Sequence, residues 1–315
     1  MNLKKSLFFH LWFIFYSTIA IVFFNLKTSF TKDEKYYLNF VDFQDLTQVW
    51  AKASYDGYHI FQPMWVFIHD KYFAFIPIVL FNLLITYFSL RMFIKNFEKG
   101  WAIFLLSFFP SCIYCATYLK EPFLFAVTLL TITFLIKGKT YIALAFSLLL
   151  ANIRIYWTGI LLLVTFFKNF NFRYLIIFSL LFIYFVYEYI LYFLNLSQFV
   201  SSNLFDIPRV FLSPLPAISY EGDVNLYENA ILYSLTFPIR FIITFLLPIV
   251  MIFDLVSKKN LSETLIADYI FQIGIIMLII SWISGLIGPR QIILGQSLIA
   301  LALFSRININ LKSIL

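Results

Sequence analysis

Long apolar runs, most of them closed by charged residues, repeat along almost the whole chain. The first covers 7–26, behind Lys4 and Lys5, and the second covers 73–90, ahead of Arg91, Lys95 and Lys99. Further runs cover 101–119, 123–136, 141–153, 156–167, 174–196, 231–253, 265–283 and 291–304. A hydrocarbon core about 30 Å thick takes roughly 20 helical residues to cross. The pattern therefore predicts an all-α, polytopic integral membrane protein with about ten transmembrane helices. The first run lacks a small-x-small cleavage site and is read as an uncleaved helix. Runs in 141–167 are short for a full crossing, so two spans or one broken, re-entrant pair both fit there.

Two stretches interrupt the pattern. Residues 27–72 mix acidic, aromatic and amide side chains, and 197–230 carries Pro208, Pro214 and Pro216. Both read as exposed segments of a single transmembrane domain spanning 1–315. Basic residues then set the orientation. Lys4/Lys5, Arg91/Lys95/Lys99, Lys137/Lys139, Lys168/Arg173, Lys258/Lys259 and Arg306/Lys312 mark every second junction. Cytoplasmic ends are enriched in Lys and Arg, which puts both termini in the cytoplasm and 27–72 and 197–230 on the periplasmic side.

Composition agrees with the pattern. The chain has 315 residues, 62% of them hydrophobic and 12% charged, too few to coat a water-facing globule. The formal net charge of +7 comes from junction clusters rather than a basic groove, so nucleic acid is not an expected partner. Cys112 and Cys115 have redox or metal spacing, yet no second pair accompanies them. Three apart on a helix, they read as small packing residues. His59 and His69 lack metal-ligand spacing, and neither a metal nor a cofactor is expected.

The candidate chemistry lies at the periplasmic junctions. Lys120, Glu121, Arg154, Arg209, Arg240 and Arg290 stand there between apolar stretches. An ionisable residue at membrane depth is costly and usually pairs or faces a cavity. Five cations converging on one face would hold an anion, and a lipid-linked phosphate or diphosphate is the natural one at a membrane surface. Arg donates two parallel hydrogen bonds to phosphate oxygens. Any one of these cations taken alone is explained by snorkelling to the headgroups, but Arg154, between two short apolar runs, and Arg290, after the turn of Gly285, Gly288 and Pro289, read as functional. Asp33 and Glu34, just beyond the first helix, offer a general base for a sugar hydroxyl, or a solvated loop face. Asp42 and Asp45 fit the polar side of one amphipathic helix over 36–53 lying on the membrane. Glu188, mid-run among Tyr184, Tyr187, Tyr189 and Tyr192, fits a tyrosine hydrogen bond or a proton path.

The order of these pieces resembles the Wzy-type oligosaccharide repeat-unit polymerases and the related GT-C glycosyltransferases. The pieces are Asp33-Glu34-Lys35-Tyr36-Tyr37, Asp56-Gly57-Tyr58 with Pro63, Phe109-Pro110-Ser111, Lys120-Glu121-Pro122, Arg154, the 209–216 stretch and Gly288-Pro289-Arg290. The resemblance implies a glycosyltransferase of the bacterial inner membrane. Its substrate would be a polyprenyl diphosphate-linked oligosaccharide, polymerised into O-antigen or capsule. Asp33, Glu34 and Glu121 would be catalytic; Lys120, Arg154, Arg209, Arg240 and Arg290 would bind the lipid diphosphate. Expected partners are that substrate, membrane lipid, and a chain-length regulator or flippase. Two other readings are a GT-C transferase using a polyprenyl monophosphate-linked sugar, and a lipid-linked glycan flippase or transporter. The chain departs from many GT-C enzymes in having no large soluble C-terminal domain, and from many O-antigen polymerases in lacking a long late periplasmic loop.

Overall fold

The computed structural model describes residues 3–27, 30, 32–56, 60–151, 153, 269–283 and 289–306. Every regular element among the described residues is a helix, and they contain no strand. The chain divides into two compact units, one holding the described residues up to 96 and from 109 to 153, the other those of 97–108 and from 269 onward.

In the first unit, helix α1 (Leu3–Leu26) turns Phe9, Trp12, Tyr16, Ala20 and Phe23 inward at helical spacing. Its outer side is also apolar, with Leu7, Leu11, Ile14 and Phe15 exposed. At 24 residues it is about 36 Å long. Water would penalise such an outer face, and lipid would not. Among the described residues α1 is the one helix long and apolar enough to cross a membrane.

Two short helices follow, α2 (Lys32–Leu38) and α3 (Leu46–Tyr55). The single amphipathic helix expected over 36–53 is thus broken. Asp45 causes the break: it adopts extended backbone and caps α3, accepting from the N–H groups of Thr47 and Gln48 at 2.9 and 3.0 Å. The Thr47 hydroxyl and the Gln48 N–H hold the Asp45 carboxyl below its ordinary pKa. Asp42 lies exposed in the intervening turn. Phe40, Val49, Ala53 and Phe67 form a small core beneath these helices.

Helix α4 (Phe61–Phe73) and α5 (Ile78–Ile94) meet at a 115° bend. Pro77 sits at the N-cap of α5, so the run expected to start at 73 starts its helix at 78 instead. The pair counts as a second span only if the bend lies within one crossing. His69 is buried and its Nε2 lies 2.8 Å from the Ile76 carbonyl, closing the corner. The buried Lys5 ammonium donates to the carbonyl of Ile94, the last residue of α5, at 2.6 Å. A cation there suits the negative end of a helix dipole. It fixes the start of α1 beside the end of α5.

The expected helix 101–119 is also broken. It comprises α6 (Trp101–Phe108), a 3-10 turn at Phe109–Ser111 and the single turn α7 (Cys112–Cys115). Pro110 has no N–H, and its ring clashes with the carbonyl four residues back, so α6 cannot continue through it. Helices α8 (Glu121–Ile136) and α9 (Thr140–Ala151) are the last described helices of the first unit and match the expected runs within two residues at each end.

In the second unit, α10 (Tyr269–Ile283) packs on α11 (Pro289–Arg306), and α11 on α6. A Cβ on Gly274 would meet the Gly295 carbonyl oxygen at 2.8 Å and Ile299 at 2.8 Å. The helices approach through glycine because backbone faces backbone there. Gly274→Ala is expected to lose about 1–3 kcal/mol of stability through overpacking, read as a lower midpoint of thermal unfolding in detergent. Gly138 serves as the comparison, since a Cβ there meets nothing within 4 Å and only its φ of +69° matters. Gly138→Asn, which tolerates positive φ, is expected to fall well short of that loss.

Candidate functional site

The break at Pro110 leaves an irregular stretch, Ala116 to Lys120, between α7 and α8. Ala116, Thr117 and Leu119 are buried, so their surroundings cannot rely on water for hydrogen bonds. Side chains from three helices supply the partners. Asn82 of α5 donates through Nδ2 to the carbonyls of Cys115 and Thr117, each at 3.0 Å. Gln62 of α4 donates through Nε2 to the Tyr118 carbonyl. Glu34 of α2 accepts the Tyr118 N–H at 2.9 Å. The Thr117 hydroxyl donates to the Tyr114 carbonyl at 2.7 Å and accepts the Leu119 N–H at 3.3 Å.

Asn82→Leu is expected to strand the Cys115 and Thr117 carbonyls. Each orphaned buried group costs about 1–3 kcal/mol. The loss should appear in thermal unfolding, and Asn82→Asp, which also lacks the amide donors, should not restore it.

Glu34 has a second bond. Its Oε1 forms an ion pair with Lys27, the residue just past α1, and the two side chains are 0% and 6% exposed. Burial lowers the Lys27 pKa, and the Glu34 charge opposes that shift. The Lys27 ammonium also lies 5.0 Å from the Phe30 ring centre, and Phe30 meets the Tyr118 ring edge-on at 6.1 Å. His69 meets Tyr118 edge-on at 6.3 Å. Trp65, Phe61 and Phe123 adjoin, with Phe123 at 5.1 Å from Phe61 and 4.9 Å from Trp65.

The structure therefore brings Glu34 of the first exposed segment to the turn that leads into Lys120 and Glu121. Glu34 is fully buried and committed to Lys27 and Tyr118, while Asp33 beside it is half-buried. Lys120, half-buried, is the N-cap of α8, and Glu121 is buried in its first turn. The amino end of a helix favours negative charge, which suits Glu121 and any anion drawn to Lys120. Arg290 lies in the first turn of α11, in the second unit. Arg154, Arg209, Arg240 and Glu188 lie outside the described residues, as do His59 and the question of two spans or one re-entrant pair over 141–167.

Cys112 and Cys115 are free thiols and fully buried. Cys115 Sγ lies 3.4 Å from the Tyr16 hydroxyl and 3.6 Å from that of Thr86. Among the described residues no group of three or more His, Cys, Asp or Glu is placed to hold a metal ion.

Sequence reasoning missed Gln62, Asn82 and Tyr118. Asn82 left a usable trace, an amide inside an apolar run, where a polar group must find a bonding partner. Gln62 left only its place one residue before Pro63, and Tyr118 none. No family model, curated protein or solved structure matches the chain.

Proposed function

We propose that this protein is a membrane glycosyltransferase of about ten spans. It polymerises polyprenyl diphosphate-linked oligosaccharide units into surface polysaccharide at the outer leaflet of a bacterial inner membrane. The observation that supports this reading is the hydrogen bond from Tyr118 N–H to Glu34. It joins Glu34, next in sequence to Asp33, to the stretch that leads into the Lys120–Glu121 helix start. The paired ends of α1 agree: Lys5 meets the end of α5, next to the basic Lys95 junction, while Lys27 lies at the Glu34 end.

In the reaction an acceptor sugar hydroxyl attacks the anomeric carbon of the lipid-linked donor. A new glycosidic C–O bond forms, and the bond to the diphosphate breaks. The hydroxyl proton passes to a carboxylate, for which Asp33 is the accessible member of its pair; Glu34 positions the turn. The departing diphosphate gathers negative charge near Lys120 and the amino end of α8, where fixed positive charge helps most. On the sequence pattern, Arg154, Arg209, Arg240 and Arg290 are further cations for the diphosphate. A chain-length regulator or a flippase would act beside it.

The test is reconstitution of the purified protein in liposomes carrying lipid-linked oligosaccharide. The expected product is a ladder spaced by whole repeat units, with one polyprenyl diphosphate released per bond. Addition of a single sugar would instead mark a monophosphate-dependent transferase. Movement across the bilayer with no bond formed would mark a transporter.

A further inference from the structure

Two buried polar atoms on one face of α4 have no hydrogen-bond partner among the described residues: Gln62 Oε1 and Trp65 Nε1. They are chemically complementary. An amide oxygen only accepts, and an indole N–H only donates. Gln62 is 1% exposed, and its orientation is fixed, because its amide nitrogen must face the Tyr118 carbonyl. Its oxygen is therefore the atom left over. Residues three apart on a helix share a face, and both of these meet the 118–123 stretch, Gln62 at Tyr118 and Trp65 at Phe123. The Trp12 indole N–H is also without a partner, but no complementary acceptor accompanies it on α1.

We infer that Gln62 and Trp65 form a subsite for a sugar hydroxyl, set against Tyr118 and Phe123, the residues on either side of Lys120 and Glu121 in the chain. The inference deepens the proposed function and rests on it for the identity of the sugar-bearing ligand. A hydroxyl both donates and accepts, so it matches the chemistry of Gln62 Oε1 and of Trp65 Nε1. A phosphate oxygen would satisfy the indole alone and meet the amide oxygen as a second acceptor. An ammonium would do the reverse. Phe61, Phe81 and Phe123 line the same region, with Phe81 and Phe123 meeting the Trp65 ring edge-on at 5.6 and 4.9 Å. Aromatic rings are suitable neighbours for the C–H faces of a pyranose. The arrangement separates two jobs: Lys120 takes the charge of the lipid diphosphate, and α4 takes the sugar.

The experiment follows the Trp65 indole N–H by NMR in indole-15N-labelled full-length protein in nanodiscs, assigned by its loss in Trp65→Phe. The probe is lipid-linked oligosaccharide purified from the source strain deleted for this gene, with sugar-free polyprenyl diphosphate as its control. Expected is a saturable shift with the oligosaccharide and none with the control. No shift with the oligosaccharide, or the same shift with both, overturns the subsite. Polymerisation kinetics give a separate readout. Trp65→Phe keeps a ring against Phe81 and Phe123, so KM should rise about five- to tenfold at unchanged kcat. A fall in kcat with KM unchanged counts against the subsite. Failure of the wild-type protein to form a ladder removes the proposed reaction, while the indole titration still decides the subsite by itself.

Discussion

Replacing Glu34 with alanine should lower stability by about 3–5 kcal/mol, the loss typical of removing one partner from a buried ion pair. The mutation strands two groups at once. The Lys27 ammonium, 6% exposed, keeps its charge without its counter-ion, and the Tyr118 N–H loses its acceptor. Glu34→Gln separates the two effects. The amide oxygen still accepts from Tyr118, and only the charge is lost. A second variant, Lys27→Met with Glu34→Leu, removes both charges, and hydrophobic replacement of a buried pair is often neutral or stabilising. It should recover most of the loss, less the part due to Tyr118. Full recovery would show that the Tyr118 bond contributes nothing.

The Glu34→Ala deficit also has a predicted pH dependence. Burial already holds the Lys27 pKa below its usual value, and Glu34 is what opposes that shift. Without Glu34 the folded protein releases the Lys27 proton at still lower pH. The unfolded chain holds it to about pH 10.4. Stability rises with pH wherever the unfolded state binds more protons. The deficit should therefore shrink as pH rises from the depressed folded value towards the unfolded one, and thermal unfolding across that window measures it. A deficit that grows with pH would mean that Lys27 is not the stranded charge.

The first helix was legible in the sequence because a long apolar run between lysines leaves few alternatives. So were α8 and α9, whose ends carry Pro122, Lys137 and Gly138, residues that begin or stop helices for plain steric and dipolar reasons. The break after α6 was less legible. Pro110 sits in an otherwise apolar stretch, and hydropathy alone does not register a missing N–H. The same limit hid the corner between α4 and α5, where the bend depends on Pro77 and on a buried His69 contact. The hydrophobic pattern puts Asp45 on the polar side of one helix, although as a residue followed by Leu-Thr-Gln it is a better N-cap than an interior residue. At the candidate site, the charged residues could be named from their junction positions. The amides that hold the turn could not, because their roles follow from which carbonyls an irregular backbone leaves unpaired.

Lys120→Ala should slow polymerisation by about 100- to 1000-fold, the usual effect of removing one preformed stabiliser of a developing oxyanion. Lys120 stands where two sources of positive potential coincide, its own ammonium and the amino end of a 16-residue helix. Glu34, Gln62 and Asn82 hold the backbone leading to it, so the charge is placed before substrate arrives rather than ordered by it. Preorganisation of this kind lowers the barrier more than it tightens ground-state binding, so kcat should carry most of the loss. Lys120→Arg, which keeps the charge, should retain a substantial part of the rate. Lys137→Ala, at the exposed opposite end of α8, should leave the ladder unchanged. The measurement is the initial rate of polyprenyl diphosphate release in liposomes at matched protein amounts. A normal rate in Lys120→Ala would detach this helix start from the chemistry. Equal losses in Lys120→Ala and Lys137→Ala would point to general attraction of anionic lipid instead of a site.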